Sequence, residues 1–222
     1  LIAVARINPY LCPSEVNDRP RIENDVPSNY PLNYAVNMGT WKVWDPARRR
    51  GGPGAFFPES KLKTNSFRDG LSKTMSFAEV KAFTGYERNA GLTDELPIPV
   101  TAADLPAGGQ GKYGRQYFEN TGHTEWVDGR AHQSGFTTTF TPNATTAPDR
   151  TDGISIDWTN MQEGKSDSVV TYAAVTARSY HPGVVNVSMM DGATRTVSDS
   201  IDINLWRAAS TRKGGEPSHS LD

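Results

Sequence analysis

The sequence is poor in cysteine, in histidine and in long apolar runs. Among its 222 residues there is a single cysteine, Cys12. An odd cysteine indicates a free thiol or a partner outside this chain, and a buried, unpaired cysteine is an equally good interpretation. The opening residues 1–5 fall far short of the roughly 20 apolar residues that a membrane-spanning helix needs.

Signatures of catalysis are also missing. The sequence has no Gly-x-Ser-x-Gly elbow and no Cys-His pattern. The four histidines, at positions 123, 132, 181 and 219, are few and scattered. The glycine cluster 108–111 lacks the Lys-Ser/Thr that a phosphate-binding loop requires. We therefore predict that the chain is not an enzyme, and a metal-dependent enzyme ranks third among the functions considered.

Charge of one sign is scarce as well. The formal net charge of -2 provides no field that would attract nucleic acid or an anionic membrane. The one basic run, at 48–50, stands beside a Gly/Pro-rich stretch and is interpreted as a solvated loop. We predict no nucleic-acid partner.

What the chain does contain is glycine, proline and threonine. With 20 Gly, 15 Pro, 36% hydrophobic residues and a mean hydropathy of -0.57, it is typical of a loop-rich protein with β-strands. We expect one globular domain over 1–222, with an extended wrapping segment at 1–40, where prolines exclude helices, and a flexible loop excursion at 84–115. Threonines 137–139 are expected on an exposed strand face.

A β-hairpin is predicted around Asp191-Gly192. Residues 184–190 and 193–197 are rich in β-branched side chains, and Asp-Gly between two such runs favours a type I′ turn. His181 precedes the first strand and is held by Pro182-Gly183. At ~3.3 Å per residue, Asp191 lies roughly 30 Å away, so the two residues cannot form a catalytic dyad. We predict structural roles for both, with the His181 ring bonding to the backbone of residues 176–180.

Two further elements are predicted. Residues 74–83 form a strand with Met75 and Phe77 on one face and Ala78, Val80 and Ala82 on the other. Residues 202–209 form a short amphipathic helix with Asp202 as N-cap and Trp206 on its apolar side. Together with the hairpin these elements indicate an α+β fold with an antiparallel sheet, many long loops and few short helices.

Two polar clusters are candidate cation sites. His123, Glu125 and His132 would converge on a hairpin turned at Asp128-Gly129, where imidazole and carboxylate groups could bind a divalent metal. A polar hairpin scaffold uses the same residues, and we favour it, so no metal is predicted there. The second cluster could hold calcium but lacks the Asp-x-Asp-x-Asp-Gly spacing. It comprises Asp149, Asp152, Asp157 and Glu163.

Trp41 and Trp44 flank the start of a Gly/Pro-rich loop. Aromatic rings in such a loop can anchor it to the core or stack on sugar rings. We favour core anchoring.

The order of several motifs resembles the prepilin-type-processing-associated H-x(9)-DG family of pilin-like surface proteins. His181 with Asp191-Gly192 supplies the name-giving spacing, and a Trp206-containing helix and a Thr-Arg-x-Gly-Gly-Glu ending complete a C-terminal signature over 172–216. Earlier segments match too. They are residues 11–14, 33–39, 68–79 and 122–126.

The resemblance implies a pilin-like head whose N-terminal apolar helix is missing from this chain. It implies a non-enzymatic, extracellular or cell-surface subunit that contacts the membrane only through that helix and assembles with copies of itself or with other pilin-like subunits. Cys12 would then pair with a cysteine at the end of the missing helix. The resemblance also slightly favours a calcium site at the acidic cluster, because calcium pins a loop in some pseudopilins. The main alternative is a carbohydrate- or surface-binding module, with surface glycans as its partner. We predict no cofactor, with calcium as the one alternative.

Overall fold

A computed structural model of the chain describes residues 2–88, 95–106, 116–146, 155–160, 163, 165–216 and 221. Strands dominate these ranges, accompanied by two α-helices and several turns of 3-10 helix. The strands are β1 (Arg21–Glu23), β2 (Val26–Asn29), β3 (Tyr34–Asn37), β4 (Lys42–Asp45), β5 (Arg50–Gly51), β6 (Met75–Glu79), β7 (Thr84–Arg88), β8 (Gln116–Gly122), β9 (Gly135–Phe136), β10 (Ile156–Thr159), β11 (Thr171–Ala174), β12 (Val184–Met189) and β13 (Thr194–Ser198). The helices are α1 (Ala131–Ser134) and α2 (Ile203–Ser210).

The α+β class predicted from the sequence is wrong, because the fold is largely β. A five-stranded sheet, a six-stranded sheet and the β1–β2 ribbon make up the described structure, in which α2 is the one α-helix longer than a single turn. The reason is the distribution of glycine and proline, which interrupt most stretches before a long helix can form. Residues 203–210 contain neither. The expectation of few, short helices is confirmed.

The five-stranded sheet has the order β13-β12-β6-β3-β9 and is antiparallel except for the β3–β9 pair. Side chains alternate along β12, where Val185, Val187 and Met189 are buried and the intervening residues are partly exposed. This period of two assigns one face to the core and leaves the other open. The predicted strand at 184–190 is thus confirmed, and it lies one strand from the sheet edge.

Helix α2 packs against the buried face of this sheet. Asp202 caps it as predicted, since its side chain accepts hydrogen bonds from the backbone N–H groups of Asn204 and Leu205. Trp206 is fully buried, with its ring centroid 6.3 Å from that of Phe136, and its Nε1 donates to the carbonyl oxygen of Phe140 at 3.0 Å. The helix therefore contributes one large apolar side chain whose polar atom is satisfied.

The six-stranded sheet has the order β5-β4-β11-β10-β7-β8, and its one parallel pair joins β10 to β7. Its core is aromatic: the ring centroid of Trp41 lies 5.2 Å from that of Trp158 and 5.4 Å from that of Tyr172. Trp44 is buried as well. Core anchoring of Trp41 and Trp44 is confirmed, and neither ring offers an exposed face to a sugar.

The two sheets meet at threonines 137–139, which were expected to be exposed and are in fact buried. Thr137 forms an isolated bridge with Thr176 and donates its hydroxyl to the carbonyl oxygen of Ala173 at 3.0 Å. Thr139 donates to the carbonyl oxygen of Thr40 at 2.6 Å. A hydroxyl that finds a backbone acceptor can be buried at little cost, so threonine content alone did not indicate exposure.

The predicted hairpin between β12 and β13 is present, but its turn is not type I′. The backbone N–H of Gly192 donates to the carbonyl oxygen of Met189, and that of Met189 donates to Ala193. Gly192 has φ +90°, whereas Asp191 does not have a positive φ. The connection is therefore a three-residue loop that ends in a left-handed glycine. Gly192 forms a β-bulge where the loop joins β13.

Strand β6 also departs from the simple alternation predicted for 74–83. Ser188 pairs with Phe77 and Met189 pairs with Met75, so the register shifts by one residue at Ser76. Because of this bulge, Met75 points into the core and is fully buried, while Phe77 is 39% exposed on the open face. The prediction that Met75 and Phe77 share a face is wrong for this reason.

The two predicted irregular segments have different outcomes. Described residues 2–40 contain 3-10 turns, the β1–β2 ribbon and β3, and no α-helix, as the prolines indicated. The excursion expected over 84–115 begins instead with β7, an internal strand of the six-stranded sheet. In the described part of the chain, no helix combines the length and apolar character required to cross a membrane.

Candidate functional site

His181 stands at the entrance to β12, as predicted, but its ring partners are side chains. Its Nε2 lies 3.2 Å from Oε1 of Glu79, at the end of β6. The backbone N–H of His181 donates to Oγ of Ser179 at 3.0 Å, and Gly183, at φ +71°, directly precedes the strand. The interaction with residues 176–180 thus runs through the His181 main chain, and its imidazole faces a carboxylate instead.

Glu79 is the centre of this arrangement and is almost fully buried. Its Oε2 accepts from the backbone N–H of Asn186 at 2.7 Å, and Oε1 lies 3.3 Å from the Asn186 side-chain amide. Two hydrogen bonds from one neighbour hold the carboxylate plane in place. Oε1 is the oxygen that remains directed toward His181.

Cys12 brings the N-terminal segment to the same point. Its Sγ lies 3.6 Å from Oε1 of Glu79 and 3.7 Å from Nε2 of His181. Its backbone N–H donates to Oδ1 of Asn33 at 3.1 Å. The thiol is half-buried and free. Among the described residues, this trio is the one group of Cys, His and acidic side chains close enough to hold a metal ion.

The sequence contained a partial signal for this trio. Cys12, Glu79 and His181 lie in three of the ordered segments that carry the family resemblance, but they are 67 and 102 residues apart. No local periodicity links such distant positions. The absence of a Cys-His pattern in the sequence therefore did not exclude a Cys–His contact in the fold.

Tyr34, on β3, adjoins the trio. Burial, followed by the charges of Cys12 and Glu79, raises the pKa of its phenol to about 12. The hydroxyl therefore stays protonated at neutral pH and is available as a hydrogen-bond donor.

Asp191 and Gly192 serve the opposite end of β12. Asp191 Oδ1 accepts from the backbone N–H of Ala193 at 2.9 Å, an interaction within the turn. Both residues are exposed. The His and Asp-Gly of the motif thus bracket one strand and do not form a shared site.

His123, Glu125 and His132 do not converge as metal ligands. His123 Nδ1 contacts the carbonyl oxygen of Gln133 at 2.8 Å, and Glu125 pairs with Arg21. His132 lies on α1, in place of the predicted return strand, with its ring 4.3 Å from that of Tyr86. Both histidines are fully buried, and burial lowers the pKa of each imidazole. Helix α1 thus replaces the return strand of the predicted hairpin, and both imidazoles are buried.

The calcium candidates are also separated, as far as the structure describes them. Asp157 is buried and pairs with Arg178 at 2.5 Å. Glu163 accepts from the backbone N–H of Ala131 at 3.3 Å, and burial raises the pKa of its carboxyl to about 7. Asp149 and Asp152 lie outside the described residues.

An apolar groove of about 880 Å³ runs along the open face of the five-stranded sheet. Tyr34, Val36 and Phe77 form its floor, and Tyr10 and Trp126, whose ring centroids are 5.8 Å apart, stand at its rim. Glu79 lines the groove too, so the trio and the groove are neighbours. Exposed contiguous apolar surface of this kind is typical of an interaction site.

Comparison with known proteins yields one relationship. A family model described as "Protein of unknown function (DUF1559)" matches residues 3–204, nearly the whole chain. No curated protein and no solved structure matches it.

Proposed function

The chain belongs to the DUF1559 family, and from that premise we propose that it is a non-enzymatic, pilin-like or pseudopilin-like structural subunit. The H-x(9)-DG proteins that the sequence resembles are this same family. The subunit would act at the cell surface or after secretion, through contacts with copies of itself or with related subunits.

The uncovered groove is the observation that carries this proposal. One face of the five-stranded sheet packs on α2 and the core, whereas Phe77 on the other face is 39% exposed. A sheet face lined by aromatic and aliphatic side chains is stabilised when another element covers it. The occupant we propose is the apolar helix of a pilin-like subunit, either its own or a neighbour's.

A charged residue in the groove tests the proposal. Phe77→Glu should reduce assembly of the native protein at least about tenfold, because an unpaired carboxylate would be buried on docking. Val100→Glu is the matched control, since Val100 is 80% exposed and outside the groove. Electron microscopy of the cell-surface fraction would measure assembly.

Photo-cross-linking provides an independent readout. A photoreactive amino acid at position 77 should capture an apolar helix of the same family, identified by mass spectrometry, and one at position 100 should not. Unchanged assembly of Phe77→Glu together with no captured helix would refute the proposal.

A catalytic role for the trio is disfavoured by its geometry. In a Cys-His-acid triad the nucleophile and the orienting acid contact opposite nitrogens of the imidazole. Here Cys12 and Glu79 both approach Nε2 of His181, so the acid does not orient the ring toward the thiol. This supports the proposal that the protein has no enzymatic activity.

Glycan binding is the second candidate function, and the rim of the groove is the position that fits a glycan best. Tyr10 is 42% exposed and meets Trp126 edge to face, which leaves apolar ring surface beside a groove. Titration of surface oligosaccharides against the tryptophan fluorescence of the chain would detect stacking on Trp126 as a response that Trp126→Phe removes. Binding that Tyr10→Ala abolishes while assembly persists would support this function in place of the first.

A further inference from the structure

Three potential ligand atoms from distant parts of the chain point at one another beside the groove. They are Sγ of Cys12, Oε1 of Glu79 and Nε2 of His181. We propose that these atoms bind one divalent zinc ion, with water in the fourth position. The proposal is independent of the pilin-like function, because it rests on the geometry of the trio alone.

The edges of the trio fit a zinc coordination sphere. Tetrahedral zinc with its usual bond lengths to sulfur, nitrogen and oxygen separates the ligands by about 3.6 Å for S–N, about 3.5 Å for S–O and about 3.3 Å for N–O. The corresponding distances here are 3.7 Å, 3.6 Å and 3.2 Å. All three edges agree at once, which one favourable hydrogen bond would not require.

In a purely hydrogen-bonded cluster, three donors would compete for one carboxylate oxygen. The thiol and the imidazole both address Oε1 of Glu79, which also faces the Asn186 amide. A thiol is a weak donor, so its contact with the carboxylate contributes little. An ion at the centre would replace these contacts with three bonds.

Charge supports the same conclusion. Glu79 is 3% exposed, and its carboxylate forms an ion pair with His181. The two Asn186 contacts hydrogen-bond the carboxylate but leave its negative charge unbalanced, and a buried charge is stabilised by a cationic partner. A divalent ion would balance the carboxylate together with the Cys12 thiolate and would leave His181 neutral, the form in which imidazole ligates metals.

Neighbouring groups already hold each ligand in position. Asn186 N–H binds the non-ligating oxygen of Glu79, Asn33 accepts from the backbone of Cys12, and Ser179 accepts from the backbone of His181. Such supporting contacts are characteristic of metal sites, where they orient the ligands.

The donor set selects the metal. One thiolate, one imidazole and one carboxylate suit zinc, whereas calcium and magnesium prefer oxygen ligands throughout. Three protein ligands leave one position of a tetrahedron for water or an external donor.

The first experiment uses the purified chain in a reducing, metal-free buffer. Calorimetric titration with zinc chloride should give one site per chain, and zinc should raise the melting temperature. Titration with cobalt(II) should produce the absorption of a tetrahedral site together with a thiolate-to-cobalt charge-transfer band. Absence of a stoichiometric site in the wild-type chain would overturn the proposal.

Variants assign the site to its ligands. Cys12→Ser should abolish the charge-transfer band, and Cys12→Ser, His181→Ala and Glu79→Gln should each weaken zinc binding by at least about 100-fold. Glu23→Gln, at an exposed carboxylate, should bind like the wild type. Asn186→Ala should keep the band and weaken binding by about 10- to 100-fold.

Two further outcomes would contradict the site. Zinc binding that Cys12→Ser leaves intact would place the ion elsewhere, and a disulfide on Cys12 in protein isolated from the cell surface would exclude thiolate ligation. If Glu79→Gln fails to fold, Cys12→Ser decides, because Cys12 is only half-buried.

Discussion

At the scale of single residues, His132 makes the fold sensitive to acid. Its ring is fully buried against Tyr86, and neither nitrogen has a hydrogen-bond partner among the described residues. Burial, with the nearby Arg130 and Arg88 charges, keeps the pKa of His132 well below its usual value. The folded state therefore favours the neutral imidazole.

This burial predicts a loss of stability as the pH falls. Below about pH 6.5 the unfolded chain binds a proton at His132 that the folded chain does not, so the free energy of unfolding decreases with each step of acidification. His132→Phe should remove about one proton from this dependence, measured by urea unfolding between about pH 5 and pH 8. His123 should retain its own contribution.

The control is Tyr86→Phe, which keeps a ring beside His132 and should show the pH dependence of the wild type. An unchanged slope in His132→Phe would mean that the imidazole reaches solvent in the folded state.

At the scale of elements, local signals predicted the hairpin and the α2 cap, but not their neighbours. Asp191-Gly192 and Asp202 act within a few residues, so the sequence identifies their roles directly. Phe77 faces outward because of a bulge that depends on the pairing of β6 with β12, more than 100 residues later. The Cys12, Glu79 and His181 contacts depend in the same way on sheet assembly.

The hairpin loop yields a conformational prediction. Gly192 has φ +90°, and no atom lies within 4 Å of the position that a Cβ would occupy. A substitution there therefore causes backbone strain without steric crowding. Gly192→Val should destabilise the fold by on the order of 1 kcal/mol or more. Thermal or urea unfolding would measure this loss.

Gly129→Val is the matched control, since Gly129 also has open space but lacks a positive φ. Equal stability of the two variants would show that the strand ends tolerate a side chain in the left-handed region.

At the scale of the whole molecule, Trp206 connects elements that are far apart in sequence. It packs in the core of the five-stranded sheet and hydrogen-bonds to Phe140. Trp206→Ala should therefore cost about 3–5 kcal/mol in unfolding free energy, measured with urea.

Trp206→Phe keeps most of the buried volume and should cost clearly less. Trp126→Ala, at the partly buried rim, should also be milder than Trp206→Ala. A loss in Trp206→Ala no greater than that in Trp126→Ala would contradict the central packing role of α2.

The pairing of β7 with β8 has a consequence for how the chain tolerates change. Arg88 and Gln116 are register partners, so the two ends of the intervening segment are fixed side by side within one ladder. Lengthening a loop between fixed ends costs little, about 0.6 kcal/mol for each doubling. We therefore expect sequence inserted between these strands to leave the pairing of β7 with β8 in register.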